Sequence, residues 1–296
     1  MDAELDTTGG DAVLRFERRF AHPVHKVWHA ITDPAEMAHW FPAAIETELK
    51  AGAKMRFVFP DEAPIDLKMT EGEVLEFDPP KVYTFRWNAD VLRFELVPDG
   101  DGCRLFFSQT LGGGPIGRLA AGRNAAGWDT CLETLAGILD GNRDAVANGD
   151  SLQAMRHYIK KFELDRPEID GDEIRFARDV VWQPADRVWE LLTGGEPVKR
   201  GALPPASATG SSVPAGPVTA VEAPHLLEYQ LRRDGEPAGR VRWEIIDDGA
   251  LGVRLELTHT GPPASRLAAL ANWRRYLDKF FDSLFAGEND GPDAGH

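Results

Sequence analysis

The sequence predicts an α+β protein made of two similar domains, each a curved antiparallel sheet around a long C-terminal helix. Three observations lead to this fold class: blocks of sequence that occur twice in the same order, short segments of alternating polarity between turn residues, and a broad apolar helical stripe at the end of each copy. The length of 296 residues agrees with it, because a domain typically has about 150 residues.

The internal repeat consists of six ordered blocks. In one of them, Arg93-Phe-Glu-Leu-Val-x-Asp-Gly matches Arg242-Trp-Glu-Ile-Ile-x-Asp-Gly. The separation of matching residues is 161 at Trp28 and Trp189 but 144 at Gly72 and Gly216, a difference of 17. We therefore predict a tandem duplication whose second copy has lost about 17 residues. The loss falls where the second copy has the turn-rich stretch 201–216 in place of two strands.

The elements of the first copy follow from periodicity. Residues 13–21 alternate as a strand, and Val27, Trp28 and Ile31 predict a helix that ends before Asp33-Pro34, with a short second helix to about Trp40. A helix with an apolar stripe from Trp128 to Leu139 closes the copy. Between them the sequence predicts strands at 45–50, 54–60, 65–77, 82–87, 91–98 and 103–111.

These elements set the predicted domain boundaries. The stretch between the copies contains Leu152, Met155, Ile159 and Phe162 at helical spacing. We expect this helix to pack with the second copy, whose shortened sheet has a flank to cover. The predicted organisation is a first domain at 12–141, a linker with this helix at 142–171, a second domain at 172–287, and disordered tails at 1–10 and 288–296.

Composition excludes several function classes. The formal charge of −15 disfavours a nucleic-acid or anionic-membrane surface. No apolar run approaches the roughly 20 residues of a membrane span, and the acidic N-terminus is unlike a secretory signal. Cys103 and Cys131 offer neither a disulfide framework nor a metal-binding spacing. We expect a cytoplasmic protein without nucleic-acid or membrane partners.

The local sequence is more specific than the order of elements. The first copy opens with Phe16-Glu-Arg-Arg-Phe-x-x-Pro-x-x-x-Val-Trp-x-Ala-Ile-Thr-Asp-Pro-x-x-Met-x-x-Trp-Phe and closes with Gly127-Trp128-x-x-x-Leu132-x-x-Leu135. Both segments resemble the family named for activators of heat-shock-protein-90 ATPase, within the START-like (SRPBCC) superfamily. The resemblance implies a helix-grip fold whose sheet and long helix enclose an apolar cavity. The second copy has Gly194-Gly-Glu-Pro in place of Asp-Pro…Trp-Phe, so we identify it as a degenerate START-like domain.

Alternation along the strands supplies residues that could line such a cavity, although the same residues would also make a plain packed core. The candidate ligand-binding residues are Trp40, Phe57, Phe59, Met69, Tyr83, Phe85, Trp87, Phe94, Phe107, Trp128 and Arg18. Arg18 and its counterpart Arg178 lie on an otherwise apolar strand face. Each is either a ligand anchor or, as we favour, the partner of a helix carboxylate or carbonyl.

The function that this sequence favours is non-catalytic binding of a small hydrophobic molecule, lipid-like or aromatic, in the first domain. Two alternatives remain open: an enzyme like the polyketide cyclases and aromatases, and a co-chaperone or other protein-interaction module. The sequence indicates no catalytic residue, metal or cofactor. His25 and His29 share a helix face but lack a third ligand nearby, and His39 is expected at the surface.

Overall fold

A computed structural model describes residues 2–59, 71–142, 151–180, 183–210, 213–249 and 252–285. The chain divides into two compact units, unit 1 from Met1 to Phe162 and unit 2 from Glu163 to His296. Each has an antiparallel sheet and a long C-terminal helix packed on it, so the predicted α+β helix-grip class is confirmed. Among the described residues, no helix has the length and apolar character needed to cross a bilayer.

Unit 1 follows the predicted order of elements. Its described strands pair in the order β1-β2-β8-β7-β6-β5-β4-β3. The bounds are β1 Glu4–Asp6, β2 Ala12–Phe20, α1 Val24–Thr32, α2 Pro34–Met37, β3 Ala44–Thr47, β4 Lys54–Val58, β5 Glu71–Asp78, β6 Val82–Trp87, β7 Asp90–Asp99, β8 Gly102–Leu111, α3 Pro115–Leu119, α4 Ala121–Leu139 and α5 Ser151–Lys161.

Unit 2 has a smaller sheet. Its described strands pair in the order β9-β10-β14-β13-β12-β11. From the same edge, this is the order of unit 1 without the counterparts of β3 and β4. The bounds are β9 Glu168–Asp170, β10 Glu173–Asp179, α6 Ala185–Thr193, β11 Ala215–Glu222, β12 Leu226–Arg233, β13 Glu236–Asp247, β14 Val253–Thr260 and α7 Arg266–Leu284. Short 3-10 turns occur at Ala206–Ala208 and Pro263–Ser265. The shared strand order supports the tandem duplication, which stays a prediction.

Two pairs of backbone hydrogen bonds locate the missing residues. In unit 1, Val74 donates to Ala53 and accepts from Gly52, at 2.9 and 2.8 Å. In unit 2, Val218 donates to Ala202 and accepts from Gly201, at 2.8 and 2.9 Å. The separation of matching residues is therefore 149 at Gly52 and Gly201, between the values of 161 and 144 on either side. Compared with unit 1, unit 2 is twelve residues shorter between Trp189 and Gly201 and five residues shorter between Gly201 and Gly216.

The helix between the copies, α5, packs on α4 of unit 1, so the expectation that it packs with the second copy is wrong. Its buried face is Met155, Tyr158 and Phe162. The Tyr158 hydroxyl donates to Asp129 on α4 and accepts a 3.1 Å bond from the backbone N–H of Ala3. The apolar stripe shows that a helix is covered, but the polar bonds of Tyr158 decide which unit covers it.

Two segments that were predicted to be irregular are edge strands. Glu4–Asp6 pair with Val13–Arg15 as β1, so the predicted disorder of residues 1–10 is wrong at this strand. Glu168–Asp170 pair with β10 in the corresponding place of unit 2, inside the predicted linker. Both strands are three residues long, and neither has the alternation that marks the longer strands. The predicted tail at 288–296 lies outside the described residues.

Candidate functional site

The inner face of the unit 1 sheet carries a group of aromatic side chains that α4 and the segment after α2 cover. Alternation along β4, β6, β7 and β8 turns every second side chain toward this face. The aromatic cluster, as we call it, consists of Trp40, Phe41, Phe57, Phe59, Tyr83, Phe85, Trp87, Phe94, Phe107 and Trp128. The structure thus brings together nine of the predicted ligand-binding residues. Met69, a tenth, lies outside the described residues.

Phe41 lies at the centre of the aromatic cluster, although the sequence prediction did not include it. Its ring centroid is 5.6 Å from those of Trp87 and Trp128, and 6.1 Å from that of Phe85. The neighbouring Trp40 is held by a 2.9 Å bond from its indole N–H to the carbonyl of Ala30. The sequence did contain a signal for this residue, because Phe41 is the second member of the Trp-Phe pair that ends the opening motif.

The aromatic cluster reaches solvent at one end. The rings of Phe57 and Trp87 are stacked with centroids 4.8 Å apart, and Phe59 is stacked on Trp87 at 5.9 Å. Phe57 is buried, whereas Phe59 and Trp87 are half-buried. A planar ligand could therefore approach the stack from this end without first unfolding the sheet.

At its fully buried end, the cluster contains an unsatisfied hydroxyl. The Tyr83 side chain lies between Phe77 and Phe85, with ring centroids 5.8 and 5.1 Å away. Its hydroxyl has no hydrogen-bond partner among the described residues, and burial raises its pKa. A buried hydroxyl without a partner costs about 1–3 kcal/mol, so the Tyr83 hydroxyl is a donor that the described residues leave unused.

A chain of buried hydrogen bonds fixes the orientation of Trp128. The indole N–H of Trp128 donates to Gln109 Oε1 at 2.7 Å, and Gln109 Nε2 donates to Asp90 Oδ2 at 2.6 Å. Asp90 Oδ1 accepts from the backbone N–H of Gly112 at 2.9 Å. Burial raises the pKa of Asp90, although both of these bonds oppose that shift. Because each Asp90 oxygen is already bonded, this chain positions the Trp128 ring and does not present a free acid to the cluster.

Arg18, the polar candidate, forms an ion pair with Asp129 on α4, and Asp129 also accepts from Tyr158. Arg18 therefore agrees with the interpretation favoured from the sequence, in which it is the partner of a helix carboxylate. In unit 2, Arg178 is buried and donates to its neighbouring carbonyl, Ala177, at 2.9 Å. The residue after Trp273 on α7 is Arg274, where the residue after Trp128 is Asp129.

Two histidines of unit 1 lie at or near the surface. His39 is exposed, and His22 pairs with Asp140 at 2.7 Å on the surface. In the part of the chain that the structure describes, no three His, Cys, Asp or Glu side chains come together as a metal site.

The corresponding interior of unit 2 is occupied by its own backbone. Residues 205–210, which we call the inserted segment, contain the 3-10 turn and a completely buried Ala208. The Ala208 carbonyl accepts from the Tyr229 hydroxyl at 2.8 Å and from the Trp243 indole N–H at 3.2 Å. The Tyr276 hydroxyl donates to the preceding carbonyl, that of Ser207.

Strand register shows which residues of unit 1 correspond to these donors. Leu227 on β12 corresponds to Tyr83 on β6, at the same separation of 144 as Gly216 and Gly72. Tyr83 pairs with Phe94 and Leu227 pairs with Trp243, so Trp243 has the position of Phe94. Two residues further along the same strands, Tyr229 has the position of Phe85. On the closing helix, Tyr276 has the position of Cys131. In unit 1 the side chains of Trp40 and Phe41 cover Phe94 and Phe85, whereas in unit 2 the inserted segment covers their counterparts.

Each unit has a helix-grip fold, an antiparallel sheet with a long helix packed on it. Residues 21–140 match the family model described as Activator of Hsp90 ATPase homolog 1-like protein. The match agrees with the family resemblance predicted from the sequence, and it covers 120 of the 296 residues.

Several solved structures are similar to the chain. A conserved protein of unknown function from Enterococcus faecalis, EF2215, has 20% identity over 54% of this chain and 90% of its own, with a TM-score of 0.47. CalU16 from Micromonospora echinospora has 18% identity over 55% of this chain and 92% of its own, with a TM-score of 0.41. DynU16, titled a putative protein in the dynemicin biosynthetic locus, has 18% identity over 92% of this chain and 98% of its own, with a TM-score of 0.39. The search of curated protein sequences found no match.

Proposed function

We propose that unit 1 binds a small hydrophobic molecule, aromatic or lipid-like, in the aromatic cluster and does not convert it chemically. The observation that carries the proposal is the Tyr83 hydroxyl, which is fully buried and has no partner in the part of the chain that the structure describes. It lies at one end of a cluster whose other end, at Phe59 and Trp87, is half-buried. Apolar walls with a few polar groups are typical of sites for small ligands.

The geometry supports a division of roles within this site. Trp87 and Phe59 offer ring faces at the solvent end, where a flat ligand would stack at the separation that Phe57 and Trp87 already show, 4.8 Å. The Trp128 ring, held by Gln109, makes a fixed wall on the helix side. Tyr83 would donate its hydroxyl proton to an oxygen or nitrogen acceptor on the ligand. Recognition would then combine apolar burial with one directional bond.

The first test measures binding of the apolar fluorophore N-phenyl-1-naphthylamine to the full chain. We expect one site per chain, and Trp87→Ala should weaken binding about tenfold because the stacking surface is lost. Trp189→Ala is the matched control, since Trp189 is a half-buried tryptophan in unit 2. Two equivalent sites per chain, or equal affinity of the Trp87→Ala variant, would contradict the proposal.

The second test concerns the Tyr83 hydroxyl. Tyr83→Phe removes a buried group without a partner, so the free protein should become more stable by about 1 kcal/mol in urea denaturation. The same variant should bind 2-acetylnaphthalene, which has a carbonyl acceptor, about fivefold more weakly, and bind 2-isopropylnaphthalene unchanged. A loss of stability on removing the hydroxyl would show that it already has a partner in the protein.

A further inference from the structure

The interior of unit 2 differs from that of unit 1 in its hydrogen-bonding chemistry. Three donors, the buried Tyr229 and Trp243 and the half-buried Tyr276, converge on the successive carbonyls of Ser207 and Ala208. The positions of these donors in unit 1 are taken by Phe85, Phe94 and Cys131, which include no strong donor. The interior of unit 2 therefore has donors that can bind carbonyl oxygens. They lie among aromatic side chains that we call the aromatic wall, Tyr229, Trp243, Trp273 and Tyr276.

The inserted segment makes few hydrogen bonds of its own. Within it, Ala208 N–H donates to Pro205 O at 3.0 Å, and the N–H and hydroxyl of Thr209 donate to Ala206 O at 3.1 and 2.7 Å. Its side chains donate one described bond to the rest of unit 2, from the Ser207 hydroxyl to the Leu192 carbonyl on α6 at 2.8 Å. It contributes small side chains and no sheet pairing. Its last residue, Gly210, lies flat against Trp273 and Tyr276, because an added Cβ would stand 2.6 and 2.8 Å from atoms of those rings.

From these observations we propose that unit 2 contains a second ligand site, selective for carbonyl-bearing aromatic or apolar molecules, and that the inserted segment is its displaceable intrachain occupant. The segment contacts the aromatic wall through backbone oxygens, which is how such a ligand would contact it. The donors are satisfied when the segment is in place and would be satisfied again by a ligand carbonyl when it leaves. This proposal is independent of the ligand proposed for unit 1.

Gly210→Ala disturbs the packing of the segment without removing a donor group, because the added Cβ would stand 2.6 Å from Trp273 and 2.8 Å from Tyr276 and the two sides must move apart. The matched control is Gly127→Ala, at an exposed helical position where an added Cβ meets nothing within 4 Å. The probes are 2-acetylnaphthalene and 2-isopropylnaphthalene, which have the same number of heavy atoms and differ in the carbonyl. Equilibrium dialysis against the full chain gives the number of sites for each.

We expect Gly210→Ala to bind one more molecule of 2-acetylnaphthalene per chain than the wild type and Gly127→Ala do. At the added site the ketone should bind about tenfold more tightly than the hydrocarbon, and combining Gly210→Ala with Tyr229→Phe and Tyr276→Phe should reduce that preference to the part that the Trp243 indole N–H supplies. The experiment compares the number of sites in Gly210→Ala with the number in the wild type. The result therefore does not depend on whether unit 1 binds the probe. No added site, or an added site that takes both probes equally, would overturn the proposal.

A second measurement serves if Gly210→Ala does not fold, because it leaves the inserted segment unmodified. In hydrogen exchange on the full chain, the amides of Ala208 and Thr209 should exchange by local opening, faster than the paired amides of β12 and β13. Tyr276→Phe should increase the exchange rate of these two amides about fivefold and leave the strand amides unchanged. Exchange of the segment only at the rate of the sheet, unaffected by Tyr276→Phe, would show a fixed part of the core and overturn the proposal.

Discussion

The two units have the same strand order around differently filled interiors. In unit 1 the segment after α2 fills the space with two aromatic side chains, Trp40 and Phe41, and the contacts are apolar. In unit 2 that segment is missing, and backbone carbonyls of Ser207 and Ala208 meet hydroxyl and indole donors. A helix-grip interior can therefore be closed by side-chain packing or by hydrogen bonds to the main chain, and the choice sets which ligand chemistry it could accept.

The largest effect should come from the side chain at the centre of the unit 1 interior. Phe41→Ala should lower the free energy of unfolding by about 3–5 kcal/mol in urea denaturation, because removing a buried ring in contact with five others leaves a cavity. Phe106→Ala, at a ring that is 40% exposed, is the control and should cost less than about 1 kcal/mol. Similar losses for the two variants would show that Phe41 is not the closing element of unit 1.

An intermediate effect is expected where the units differ on the closing helix. Asp129→Ala should destabilise unit 1 by about 2 kcal/mol, because it leaves Arg18 and Tyr158 without their shared carboxylate. Asp140→Ala removes a carboxylate that is 72% exposed and should change stability by less than about 0.5 kcal/mol. Thermal melting with hydrogen exchange on α5 measures both effects. Unchanged protection of α5 in Asp129→Ala would mean that apolar contacts alone dock this helix.

The smallest effect concerns the residue that bonds the central tryptophan. Trp128 donates to Gln109 in unit 1, whereas Trp273 donates to His259 Nδ1 at 3.1 Å in unit 2. Burial lowers the pKa of His259, so the unfolded chain takes up a proton below about pH 6.5 before the folded protein does. Stability from the neutral imidazole is therefore present above about pH 6.5 and is lost as the pH falls from there toward the folded pKa.

His259→Gln gives unit 2 the residue of unit 1 and removes this titration. Between pH 7.5 and pH 5.5 the wild type should lose about 1 kcal/mol more stability than His259→Gln does, measured by urea denaturation at the two pH values. The other titrating groups are common to both proteins and cancel in the difference. Equal losses would show that His259 keeps its ordinary pKa in the folded protein.

Much of the fold could be predicted because alternation and helical periodicity are local signals. The strand predicted at 82–87 is β6, Val82–Trp87, and the stripe from Trp128 to Leu139 lies on α4. The partner of α5 could not be predicted, since an apolar stripe does not state what covers it. The inserted segment was also missed as part of an interior: its sequence reads as a turn, and its donors are 21 to 69 residues further along the chain.

The site was predicted in composition more than in arrangement. Nine of the predicted residues meet in one cluster because they alternate along neighbouring strands, but the sequence does not tell which segment closes over them. Phe41 belongs to that closing segment. The chain of bonds from Trp128 through Gln109 to Asp90 joins three separate elements, and no local pattern links residues that only the fold brings together.

The Gly201–Ala202 pair has a consequence for solubility. Without counterparts of β3 and β4, β11 is the outer strand of its sheet, and an outer strand with unpaired backbone groups invites another chain to add to it. The pair occupies both the N–H and the C=O of Val218 near the middle of β11. A shortened sheet of this kind would otherwise be prone to edge-to-edge aggregation, and two residues of main chain are enough to block its centre.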